Sequence, residues 1–88
     1  MGKLSTANKE ITLFPNPVKD KLTLSLNSFD IGKSVDVFIY DLAGRRMDKV
    51  SATGGSDLLI EVSHLATGNY LLKAQQGRQI KQVQFIKE

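Results

Sequence analysis

Apolar residues recur at every second position in several short runs of this chain and almost nowhere at helical spacing, so the predicted elements are strands. Leu22, Leu24 and Leu26 alternate with Lys21, Thr23 and Ser25. Val35, Val37 and Ile39 form a second set, opposite Asp36, Phe38 and Tyr40. With apolar residues on both of its sides, this strand is expected to be central and covered on both faces. Leu58, Ile60 and Val62 make a third set against Asp57, Leu59, Glu61 and Ser63. Tyr70, Leu72 and Ala74 keep the same spacing, and Val83 and Phe85 stand opposite Gln82, Gln84 and Ile86.

Turn chemistry separates these runs at Pro15-Asn16-Pro17, Asn27 to Gly32, Asp41 to Gly44, Gly54-Gly55, Thr67-Gly68-Asn69 and Gln76-Gly77. Turns spaced about a dozen residues apart are the mark of an all-β sandwich or barrel, and the fold class read here is a small Greek-key or Ig-like β-sandwich of about seven strands. Pro15 and Pro17 fix φ twice and remove two N–H donors, which makes this stretch a rigid corner between a first strand, Ile11 to Phe14, and a second, Lys21 to Leu26. Asp41-Leu42-Ala43-Gly44 reads as a hairpin: Asp suits the first position of a type I turn, and Gly44 supplies the positive φ of a G1 bulge. Leu65-x-x-Gly68-x-Tyr70 is similar to a tyrosine corner, in which a buried ring at a strand start turns its hydroxyl back to the backbone upstream.

Eighty-eight residues allow one domain, and 41% hydrophobic with 24% charged is ordinary globular composition. Twelve basic against nine acidic side chains leave +3, all of it in residues 73–88, where Lys73, Arg78, Lys81 and Lys87 face Glu88 alone. Only Phe85 is aromatic there, so the interleaved stacking surface of a nucleic-acid binder is missing and a solvated strand face is expected. The chain has no cysteine and a single histidine, His64, which rules out a disulfide framework and the common zinc sites; no metal or other cofactor is implied. The longest unbroken apolar stretch, Val37 to Tyr40, is four residues and cannot cross a membrane as a helix. No nucleophile with a base, no carboxylate pair and no phosphate loop is apparent, so the chain reads as no enzyme. A sugar platform is equally hard to build from two tyrosines and no tryptophan, the phenylalanines being expected inside.

Five motifs in series carry a resemblance. They are Leu13-Phe14-Pro15-Asn16-Pro17-Val18, Leu22-x-Leu24-x-Leu26, Val37-Phe38-Ile39-Tyr40-Asp41-Leu42-Ala43-Gly44-Arg45, Leu65-x-x-Gly68-x-Tyr70, and Lys81-x-Val83-x-Phe85-Ile86-Lys87. Their order and spacing resemble the type A C-terminal sorting domain of type IX secretion, with Phe14 where that family more often has tyrosine. The resemblance implies residues 11–88 as the sorting domain and residues 1–10 as a linker remnant behind a start left by cloning. It implies a non-catalytic address label on a larger cargo, passed by an outer-membrane shuttle protein and translocon to the cell surface or extracellular space, then removed by a surface sortase that often attaches the cargo to lipopolysaccharide. Pro15, Asn16, Pro17, Asp41, Gly44, Leu65, Gly68 and Tyr70 become the structural motif residues. Lys81, Val83, Phe85, Ile86, Lys87 and Glu88 become the candidate recognition residues, with Lys81 and Lys87 expected to be exposed. An edge position for this last strand would allow strand addition by a partner, or dimerisation that its lysines oppose. An Ig-like or fibronectin-like adhesion module, or a carbohydrate-binding module, needs the same core and is the alternative.

Overall fold

The alternating runs become seven strands: β1 (Thr12–Phe14), β2 (Lys21–Ser25), β3 (Ser34–Asp41), β4 (Arg46–Thr53), β5 (Asp57–Glu61), β6 (Gly68–Gln76) and β7 (Gln79–Lys87). The computed structural model describes residues 11–88, so the linker expected at residues 1–10 lies outside the described residues. The strands pair antiparallel in two sheets, ordered β1-β2-β5 and β4-β3-β6-β7. The chain changes sheet after β2, after β4 and after β5, the crossing pattern of a Greek-key sandwich. Among the described residues there is no helix.

The inward set of each strand is the apolar set of the sequence. Leu22, Leu24 and Leu26 face Val35, Val37 and Ile39 across the sandwich, joined by Ile60, Val62, Leu72, Ala74 and Phe85, all essentially buried. Fully burying one such aliphatic or aromatic side chain is worth roughly 1.5 to 3 kcal/mol. β4 is marked less by pattern than by its hairpin, because its inward positions are Asp48, Val50 and Ala52, all half-buried at the sheet edge.

Two readings need correction. β3 is central within its sheet, hydrogen-bonded to β4 and β6, but no layer covers its outer face, where Asp36, Phe38 and Tyr40 are only half-buried. Nor are the phenylalanines uniformly internal: Phe29 and Phe85 are buried, whereas Phe14 is 55% exposed beside the proline corner. An apolar residue on a strand marks the core only when a second layer lies above it.

The Asp41 hairpin forms as its residues predict. The Gly44 N–H donates to the Asp41 carbonyl at 3.0 Å, Gly44 takes φ +88°, and the register slips between Ile39 and Tyr40. At the other end of the sandwich, the side-chain amide of Gln76 accepts from the Asp30 N–H at 2.9 Å and donates to the carbonyls of Asp30 (3.0 Å) and Lys33 (3.3 Å). Gly54 lies against this joint so tightly that a Cβ would come within 2.0 Å of the Asp30 carbonyl oxygen. Only glycine fits there.

Tyr70 makes the corner. Its ring is 5% exposed and stacks on Phe85 at 5.5 Å, and its hydroxyl donates to the Ala66 carbonyl at 2.6 Å. Removing the hydroxyl strands that carbonyl in a partly buried site. Tyr70→Phe is therefore expected to lower unfolding free energy by about 1 kcal/mol in denaturant titration, with an unchanged slope.

Candidate functional site

The last strand, β7, is the edge of the four-stranded sheet, paired with β6 from Gly68↔Lys87 to Gln76↔Gln79. Its side chains alternate. Val83, Phe85 and Lys87 turn inward, Phe85 and Lys87 being buried at 1% and 7% exposure. Lys81 shares that parity and holds its ammonium 5.8 Å from the centre of the Phe29 ring. The outward face carries Ile80 and Ile86, both about half exposed, with Gln82 and Gln84 between them. Lys81 and Lys87 are thus not the exposed pair expected from composition. Their aliphatic stems lie along the core while the charged ends reach its rim, where the Lys87 ammonium donates to the Glu88 main-chain oxygen at 2.9 Å.

The outer edge of β7 is half occupied by the proline corner. The Ile86 N–H donates to Asn16 Oδ1 at 2.9 Å, and Asn16 Nδ2 reaches the Gln84 carbonyl at 3.5 Å. Val18 continues the pairing: its N–H donates to the Ile86 carbonyl at 2.9 Å and its carbonyl accepts from Glu88 at 2.8 Å, a single parallel bridge. Pro15 and Pro17 have no N–H to offer. The asparagine side chain therefore stands in for a strand backbone, and Val18, fully buried, anchors the clip in the core. Strand alternation puts the outward backbone groups of β7 on its even-numbered residues. Among the described residues, those of Ile80 and Gln82 meet no neighbouring strand.

The remaining motif residues cluster at turns rather than with β7. Asp41 Oδ1 accepts the N–H groups of Ala43 and Arg45, both at 2.9 Å, and its Oδ2 accepts from Arg45 Nε at 2.9 Å. The Arg45 N–H above all holds the Asp41 carboxyl below its ordinary 3.8, over an opposing effect of desolvation, and the Arg45 guanidinium and the Ala43 N–H add to the lowering. Leu65 is buried in the corner that Tyr70 closes, and Gly68 opens β6. His64 is exposed and pairs with Asp48 at 2.7 Å, with no nucleophile beside it in the interactions it makes. Among the described residues no cluster of side chains suited to a metal ion is found, and no helix is long and apolar enough to cross a membrane.

The family model of the secretion system C-terminal sorting domain matches residues 12–88. The chain is a type IX C-terminal sorting domain. No curated protein matches it. The sorting domain's matched region takes in the Asn16 clip, the Asp41 hairpin, the Tyr70 corner and β7, and so both partners of the Asn16 and β6 bonds that hold the last strand. Asn16 was legible in the sequence only as part of a corner; its bond to β7 required knowing which strand lies at the edge.

Two outcomes follow from this geometry. Asn16→Ala removes both side-chain bonds to β7 and is expected to cost about 1 kcal/mol. Hydrogen exchange should quicken at the Ile86 amide while the β7 amides that face β6 keep their protection. For Asp41 the sign is set by its depressed folded-state pKa: the carboxylate stabilises the fold above the unfolded value, and this is lost as pH falls through the folded one. Asp41→Asn should be less stable than the parent at neutral pH, and melting curves of the two should converge below about pH 4.

Proposed function

We propose that this domain is a non-catalytic signal that takes a cargo on its N-terminal side across the outer membrane and is then removed by a surface sortase cutting upstream of Ile11. Family membership over residues 12–88 is the observation that carries this reading, because a C-terminal sorting domain implies a cargo, engagement with the secretion system, and export to the cell surface or beyond. The sandwich itself, shared with adhesion modules, would not separate the two.

Recognition by the shuttle and translocon falls on β7. In the folded domain Ile86 and Glu88, with Gln82 and Gln84, present side chains outward, and Ile80 and Gln82 offer backbone groups to an added strand. Lys81, Val83, Phe85 and Lys87 act in this reading by holding the strand in its register. A partner that reads them directly would have to peel β7 off the core.

The experiment is fusion of the whole chain to the C-terminus of a reporter in a type IX-competent bacterium. The parent fusion should reach the medium or cell surface, which an adhesion module would not achieve. Ile86→Glu combined with Gln84→Glu should retain the reporter inside the cell while leaving the melting temperature of the isolated domain nearly unchanged, exposed charges being worth under about 1 kcal/mol. Export at the parent level by that variant would show that the outer face of β7 is not what is read.

A further inference from the structure

The outer face of the four-stranded sheet carries a feature that neither the core nor β7 requires. Cross-strand register places Lys49, Phe38 and Lys73 in one row and Arg46, Tyr40 and Leu71 in the next. The Phe38 ring lies 6.2 Å from Tyr40, and three cations surround it: Lys73 Nζ at 5.7 Å, Lys49 Nζ at 5.8 Å and Arg46 Cζ at 5.9 Å from its centre. Lys73 Nζ is also 5.5 Å from the centre of Tyr40.

Three like charges gathered on one ring repel one another, and among the described residues none of them has a carboxylate within ion-pair distance. The nearby Asp48 points to the other face, where it holds His64, and Asp36, one row along on this face, makes no ion pair with the three cations. Lys49 and Lys73 flank β3 from neighbouring strands, about 10 Å apart at the usual strand spacing. Attraction to the ring faces holds the cations over the sheet instead of letting them sweep through solvent. Part of the ordering cost of an ion pair with an incoming partner is thereby already met.

We infer that this face is a docking surface for a protein partner bearing clustered carboxylates. A sugar chain would need free ring faces to stack on, and here cations sit over them. The composition, aromatic and arginine with half-exposed Leu71 and Met47 at 39% exposure, is that of a protein interface. The surface runs on into the outward face of β7, where Gln82 and Gln84 stand beside Lys73 and Leu71, but its test reads binding by the isolated chain and does not depend on export.

A labelled poly-glutamate peptide is the probe, with a heparin fragment of matched charge as the comparison. The peptide is expected to bind the whole chain with a strong salt dependence and to shift amide NMR signals of β3, β4 and β6 around Phe38. Arg46→Gln, Lys49→Gln and Lys73→Gln together should weaken it by roughly tenfold or more, whereas Lys19→Gln, Lys21→Gln and Lys33→Gln together should weaken it little. Phe38→Leu keeps every charge but frees the cations, and roughly a threefold loss is expected. Equal loss in the two triple variants, signal shifts spread over both sheets, or binding of heparin without the peptide would each overturn the inference. The shift map uses the unaltered chain, so it decides the matter even if a variant fails to fold.

Discussion

A strand that closes a core from the edge of a sheet must be held on one side only, and its outer hydrogen-bonding groups have to be hidden or used. β7 is such a strand: Phe85 completes the stack on Tyr70, yet nothing in the four-stranded sheet lies beyond it. The chain answers with a side chain. Asn16, set between two prolines that cannot ladder, bonds the backbone of Ile86 and Gln84, and Val18 adds the two main-chain bonds that follow. Gln76 does the corresponding work at the other end, bonding the backbone of Asp30 and Lys33 and forcing glycine at position 54. Two amides thus replace backbone where the sandwich would otherwise be open.

Much of the fold was legible because burial on a pleated strand has a period of two. The inward sets of β2, β3, β5 and β6 are the alternating apolar residues, and the Asp41 hairpin and Tyr70 corner follow from local chemistry. What escaped depends on neighbours remote in sequence. Asn16 meets Ile86 across 70 positions and Gln76 meets Asp30 across 46, and no local signal marks either pair. Phe38 and Tyr40 look internal on their own strand, and only the pairing with β4 and β6 reveals cations above them. Lys81 and Lys87 were the opposite case. Their parity with Val83 and Phe85 placed them inward, but charge suggested solvent, and long aliphatic stems allowed both to be partly true.

Fold and function part company at this point. A Greek-key sandwich of two sheets serves many purposes, so the assignment rests on the series of motifs and not on the architecture. The structure redistributes the terminal motif between two duties, with Lys81, Val83, Phe85 and Lys87 bound into the body of the domain and Ile86 and Glu88 left on its surface. That surface presents amides and an isoleucine, beside a backbone edge that is partly open.

The long span between Asn16 and its partner also orders events in time. Until Ile86 has been synthesised and released, Asn16 and Val18 have no strand to clip, and Tyr70 lacks the ring it stacks on. Contacts between such distant residues are slow to form because the loop must close before they stabilise anything. Domain closure is therefore a late step that waits for the last residues of the strand, and a chain cut short within β7 stays open at its beginning as well as its end.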